Sequence, residues 1–147
     1  MVRAARTVTV ELLPDAPAAR LPSRATVGSG CFDLAAAAAV ELERGKVELV
    51  RTGLKVRCPR GTFLEVRPRS GLASRGVLMV NAPGTIDHDY SGEVRVPLTY
   101  LFEGRYRVEA GDRIAQARLV VERPTAFRRG RVVPLASRSG GFGSTGR

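Results

Sequence analysis

Three carboxylates, Asp87, Asp89 and Glu93, fall within one short segment, NAPGTIDHDYSGE (residues 81–93), of a chain that is otherwise strongly basic. Pro83 and Gly84 place a turn ahead of them, and Tyr90 adds an aromatic face. A carboxylate just past a turn can hold a water beside a small ligand and take its proton. Near the other end, GGFGSTG (residues 140–146) combines four glycines, one aromatic and two hydroxyls. Backbone amides in such a run can wrap an anion. The two segments together predict a site that reads a base and a phosphate chain, with a mobile tail to cover it. Each also has an ordinary reading, since Asp is common in turns and glycine-rich termini are commonly disordered.

Short strands are the elements available to position these groups. Residues 7–13, 47–51, 54–57, 63–67, 77–80, 93–98 and 114–121 alternate or run apolar, and Gly, Pro, Asp or Ser separate them. Many short strands with frequent turns predict an all-β barrel or sandwich. Residues 34–43, LAAAAAVELE, hold five consecutive alanines. Propensity favours helix there and the surrounding strands do not, so the residues leave both open. A weaker helix signal covers residues 70–75, with Ser70 at its start and Gly76 just past its end. Residues 14–22, rich in Pro and Ala, read as a surface connector. Beyond Pro134 the apolar pattern stops, which predicts a tail that is disordered or ordered only by a ligand or neighbour.

At 147 residues the chain is one domain by length. It carries 24 Lys+Arg against 14 Asp+Glu, a formal net charge of +10, which favours anionic partners. The basic residues are scattered rather than blocked, so no specific nucleic-acid binding is expected. Cys31, Cys58 and the single histidine, His88, lack metal-ligand spacing, which argues against a Cys/His zinc site. His88 is expected at the surface, on the face opposite Asp87 and Asp89. The N-terminus lacks the apolar core of a signal peptide, and the longest apolar run, residues 34–40, is too short to span a bilayer. No membrane association and a cytoplasmic location are therefore expected.

Five segments, in order, resemble the motifs of the trimeric dUTP diphosphatase (dUTPase) family. They are SGCFDLAA (29–36), PRSGLASRG (68–76), NAPGTIDHDYSGE (81–93), GDRIAQ (111–116) and GGFGSTG (140–146). Any one is a weak signal; all five in order are a strong one. The resemblance implies an all-β, jelly-roll-like β-barrel over residues 1–136 and a flexible C-terminal arm over residues 137–147. It implies a homotrimer with active sites at the subunit interfaces. The implied reaction is hydrolysis of dUTP to dUMP and pyrophosphate by water attack at the α-phosphorus. That reaction clears dUTP from the DNA precursor pool and supplies dUMP for thymidylate synthesis. It also implies a strand or extended segment for the alanine run. A dCTP deaminase-like enzyme and a non-catalytic nucleotide-sensing regulator on the same fold are the alternatives, and the 81–93 and 140–146 motifs fit them less well.

Carried over residue by residue, the resemblance implies Asp87 as general base. Asn81, Gly84, Thr85, Ile86 and Phe142 contact uracil or deoxyribose, and Tyr90 packs under the sugar against a 2′-hydroxyl. Arg69, Ser70, Gly71, Gln116, Arg138, Gly143, Ser144 and Thr145 contact phosphates. Mg²⁺ is the implied cofactor, held mainly by triphosphate oxygens and waters, with Asp33 reaching it only indirectly, through water or a neighbouring side chain. Asp112 reads as a turn residue and Arg113 as a surface or interface charge. Two positions depart from the family pattern. Ser137 stands where the tail commonly has Arg, with Arg138 one residue later, and Cys31 stands where Gly is common.

Overall fold

The computed structural model describes residues 6–133. Eleven short strands carry nearly all the regular structure. They are β1 (Thr9–Leu12), β2 (Phe32–Ala35), β3 (Val40–Glu43), β4 (Glu48–Arg51), β5 (Leu54–Arg57), β6 (Thr62–Arg67), β7 (Val77–Met79), β8 (Gly84–Ile86), β9 (Arg95–Tyr100), β10 (Arg105–Val108) and β11 (Arg113–Val121). Among the described residues the one helix, α1 (Ser70–Ala73), is a single turn between β6 and β7. The strands pair antiparallel in sheets of order β2-β11-β6-β8, β4-β9-β7, β1-β5 and β3-β10. The all-β reading is borne out.

Period-two patterning places the core. Leu34, Val66 and Ile114 from the four-stranded sheet meet Val50, Val96 and Leu98 from the three-stranded one in a single buried apolar cluster. Each such side chain contributes roughly 1.5–3 kcal/mol on full burial, so aliphatic residues suffice in a chain without tryptophan. Two buried hydroxyls are satisfied locally: Thr52 donates to the Val94 carbonyl at 2.6 Å and Thr62 to that of Pro59 at 2.5 Å. Burial raises the Cys58 thiol pKa, which marks that cysteine as packing rather than chemistry.

The alanine run is not a helix. β2 ends at Ala35, and the chain then crosses between sheets before β3 begins at Val40. The Ala36 amide donates to the Asp112 carbonyl and the Ala37 amide to that of Arg51, both at 2.8 Å, while Gly111 donates back to Ala36 at 2.7 Å. Those long-range bonds claim groups that a helix would have used internally. Small side chains are required because a Cβ on Gly53 would lie 2.5 Å from Ala16 and 3.3 Å from Ala37. Alanine serves close packing here, which overrides its propensity.

The short helix forms where the Ser70 and Gly76 signals predict, but only for one turn. Gly76 adopts φ +82°, and a Cβ there would run into the Phe102 ring at 2.5 Å. The strand expected over residues 93–98 is displaced to Arg95–Tyr100, because Glu93 and Val94 bond elsewhere. Alternation does not mark β2, β3, β8 or β10: β2 and β3 flank the alanine run, β8 is three residues inside a turn-rich motif, and β10 alternates Arg with Tyr and Val. Beyond β11, residues 122–133 form no regular element and are exposed. The boundary expected between residues 136 and 137 lies outside the described residues. Among the described residues, no helix is long and apolar enough to cross a membrane.

Candidate active site

Three strands in a row build the first half of the site. In the β2-β11-β6 ladder, Gln116 sits opposite Asp33 on one side and Arg67 on the other. Arg69 follows two residues past that point, and Ser70 and Gly71 open α1. A cavity of about 260 Å³ results, lined by Ser29, Gly30, Cys31, Asp33, Arg69, Ser70, Gly71 and Gln116 together with Ala25. Segments 29–36, 68–76 and 111–116 thus converge on one place. Its lining suits an anion: a guanidinium, a hydroxyl, an amide and glycine backbone.

Internal bonds aim these groups. Asp33, largely buried, accepts from Arg69 Nε at 3.1 Å through Oδ1 and from Arg113 Nη1 at 3.2 Å through Oδ2. Arg69 Nη1 donates to the Arg113 carbonyl at 3.0 Å, and among the described residues no bond takes Nη2. Gln116 Nε2 donates to the Pro68 carbonyl at 2.9 Å. Arg113 is at the surface, as expected, and it also pairs with the Asp33 carboxylate that holds Arg69. Asp112 is a turn residue as expected, accepting from the Glu109 amide at 2.9 Å beside Gly111 at φ +88°.

The second half is the loop around β8. β8 pairs with β6 through Gly84 opposite Val66, Thr85 opposite Glu65 and Ile86 opposite Leu64. Gly84 is buried, and a Cβ there would meet the Asn81 Nδ2 and the Met79 methyl, each at 3.2 Å. The absent side chain is what lets the Asn81 amide fold across the turn. Thr85 is exposed and Ile86 half-buried against the core.

The structure sorts the three carboxylates. Glu93 is spent on structure: its side chain is 8% exposed and accepts from Arg51 Nε at 2.9 and 3.0 Å, the Gly53 amide at 2.9 Å and Arg95 Nε at 3.1 Å. Glu93, and after it Asp15, raises the Arg51 pKa above its ordinary value. Asp89 does not share a strand face with Asp87, because β8 stops at Ile86 and residues 88–89 form a turn. Asp87 is exposed just past the strand, and among the described residues its carboxylate joins no ion pair. His88 is half-buried rather than exposed, and its carbonyl accepts from Arg57 Nη1 at 3.1 Å. Tyr90, 43% exposed, donates its hydroxyl to the Glu93 carbonyl at 3.1 Å, over a Gly92 with no room for a side chain.

The two halves do not meet within one chain. Ile86 stands opposite Leu64 near the start of β6, so Asp87 lies at that end, whereas Arg69 lies past Arg67 at the other. From Phe63 to Arg67 alone is about 13 Å of extended strand. None of Asn81, Gly84, Thr85, Ile86, Asp87 or Tyr90 lines the Arg69 cavity. Phe142, Arg138, Gly143, Ser144, Thr145 and the Ser137 departure lie outside the described residues.

A metal ion has few ligands here. Among the described residues, no three His, Cys, Asp or Glu side chains gather as a metal site. Among the described residues, Asp33 is the one carboxylate lining the cavity, and both its oxygens already accept from arginines. This donor set fits a cation carried in on a phosphate chain and its waters, not one lodged on the protein.

Comparison with known proteins gives a consistent result. The sequence model of a family described as dUTPase matches residues 18–146. A deoxyuridine 5'-triphosphate nucleotidohydrolase of Brucella melitensis is 43% identical, covering 97% of this chain and 94% of that protein. Its namesake in Helicobacter pylori is 42% identical over 88% of this chain and 91% of its own length. Among solved structures, a mutant Staphylococcus bacteriophage 80alpha dUTPase with dUpNHpp superposes at TM-score 0.81, with 25% identity, over 97% of this chain and 99% of that one. A dUTPase from phage phi11 of S. aureus, described with a structural Mg(II) ion, shares the fold at TM-score 0.76 and 22% identity, covering 86% of this chain and 97% of its own.

Proposed function

The chain belongs to the dUTPase family and hydrolyses dUTP to dUMP and pyrophosphate, and we propose that its loop and its phosphate cavity form one active site completed between copies of the chain. The observation that carries this reading is the separation just described. A base and a phosphate clamp at opposite ends of β6 cannot act on one phosphorus within a chain, but a neighbouring copy can bring the two together. A closed homotrimer, which the family resemblance implies, provides three such sites.

In this site Asp87 takes a proton from the attacking water. The exposed carboxylate, held just past β8, joins no ion pair among the described residues, which supports that role. The Asn81 amide, folded over Gly84, and the backbone of Thr85 and Ile86 read the donor and acceptor edge of uracil, which cytosine reverses. Tyr90, propped by Gly92 and the Glu93 carbonyl, closes the space a 2′-hydroxyl would need. Arg69, Ser70, Gly71 and Gln116 bind the phosphate chain. Phe142, Arg138, Gly143, Ser144 and Thr145 belong to the proposal as the covering tail, with Phe142 on uracil and the others on phosphates. Mg²⁺, if carried in on the triphosphate, would supply positive charge to the phosphate oxygens that Arg69, Ser70, Gly71 and Gln116 bind. A cytoplasmic location belongs to the same proposal.

Pyrophosphate release measured across dUTP, UTP, dTTP and dCTP tests this reading. The wild type is expected to use dUTP far better than the other three. Tyr90→Ala is expected to raise the use of UTP relative to dUTP by roughly tenfold while leaving dTTP refused, because the ring guards the sugar and not the base. A larger gain for dTTP than for UTP would contradict the Tyr90 role. Ammonia release from dCTP would point to the deaminase instead.

A further inference from the structure

Arg113 and Gln116 are three residues apart on β11. In a regular strand, residues at that separation point to opposite faces. The ladder with β2 shows why they do not do so here. Arg113 is opposite Ala35 and Gln116 is opposite Asp33, with a register shift between Arg113 and Ala115. Three steps on β11 thus match two on β2, the signature of a β-bulge with one extra residue. Ala35 and Asp33, two apart, share a face, so the bulge brings Arg113 round to the face that carries Asp33 and Gln116.

The turned side chain is used. Arg113 Nη1 reaches Asp33 Oδ2 at 3.2 Å, and the Arg113 carbonyl takes a hydrogen bond from Arg69 Nη1 at 3.0 Å. Asp33 Oδ1 takes Arg69 Nε at 3.1 Å. Arg69 is therefore gripped twice, by a carboxylate and by a carbonyl, and Arg113 is part of both grips. Arg113 does not line the phosphate cavity, yet the guanidinium that does is oriented through it.

We infer that the β11 bulge makes Arg113 a positioning residue for dUTP hydrolysis: with Asp33 it fixes the Arg69 guanidinium so that Nη2 faces the phosphate chain. The inference rests on the reading of the cavity as the phosphate site. Arg113 acts through Arg69 and has no contact of its own with substrate.

That indirect action is what an experiment can isolate. Arg113→Gln is expected to lower kcat/KM for dUTP about tenfold, the size of one charge-assisted hydrogen bond. In an Arg69→Met background the same change is expected to cost less than about twofold, because nothing remains to position. A merely structural role would give equal losses in both backgrounds, and that result, or no loss in the parent background, would overturn the inference. Should Arg113→Gln fail to accumulate as folded protein, Arg113→Lys carries the same cycle. It keeps a cation for Asp33 but lacks the fork, so the loss is smaller and again confined to the Arg69 background. Arg69→Met at the parental kcat/KM would instead refute the phosphate reading itself. Impaired Arg69→Met beside fully active Arg113→Gln would refute only the positioning role.

Discussion

Asp87→Asn is expected to bind nucleotide nearly as well as the parent protein while turning over roughly a hundred- to ten-thousandfold more slowly. The amide keeps the size and polarity of the carboxylate but cannot take a proton from water. The choice of Asp87 over its neighbours follows from their surroundings. Glu93 is held by two arginines and a backbone amide, and Asp89 sits in a turn past the strand end. Asp87 alone of the three combines exposure with a fixed anchor on β8. Titrating dUpNHpp into parent and variant separates binding from chemistry. Turnover near the parental rate with unchanged affinity would remove Asp87 from the mechanism.

The second large effect is a gain of function from two inactive parts. Asp87→Asn damages the loop half of the site and Arg69→Met the phosphate half. Each variant alone is expected to be nearly inactive. Co-expressed in equal amounts and mixing at random in the proposed closed trimer, they would leave roughly a quarter of the sites with an intact loop from one copy and an intact cavity from another. Both variants keep residues 137–147, so the source of the tail does not affect the outcome. If loop and cavity of one chain served the same site, no mixed assembly would contain a complete one. Hybrid trimers isolated by two different affinity tags would then stay as inactive as their parents. Recovery of roughly a quarter of the parental activity in the unsorted mixture, or about a third in the isolated hybrids, supports sharing between copies, and no recovery refutes it.

Strand positions were largely legible from alternation, because half-buried strands such as β5 and β6 must place apolar residues at every second position. The alanine run was not legible from propensity. Its reason is a packing partner, Gly53, and backbone acceptors far along the chain, which no local pattern displays. The site shows the same division. Asp33, Arg69, Ser70, Gly71 and Gln116 could be named from their motifs, and the ladder brings them to one cavity. The part played by Arg113 was hidden, because regular strand periodicity sends it to the wrong face and only the bulge turns it back. Glu93 was hidden for a related reason. A carboxylate beside two others reads as part of the chemistry until its partners Arg51 and Gly53, some forty residues earlier, are seen to occupy it.

The central claim, that water held by Asp87 attacks the α-phosphorus of dUTP, is tested most directly by running the reaction in water enriched in heavy oxygen. Mass spectrometry of the two products then locates the label. Attack at the α-phosphorus is expected to put one heavy oxygen in dUMP and none in pyrophosphate, since water supplies the new oxygen on the phosphorus it attacks. Label in the pyrophosphate, with unlabelled dUMP, would place the attack at the β-phosphorus and contradict the account.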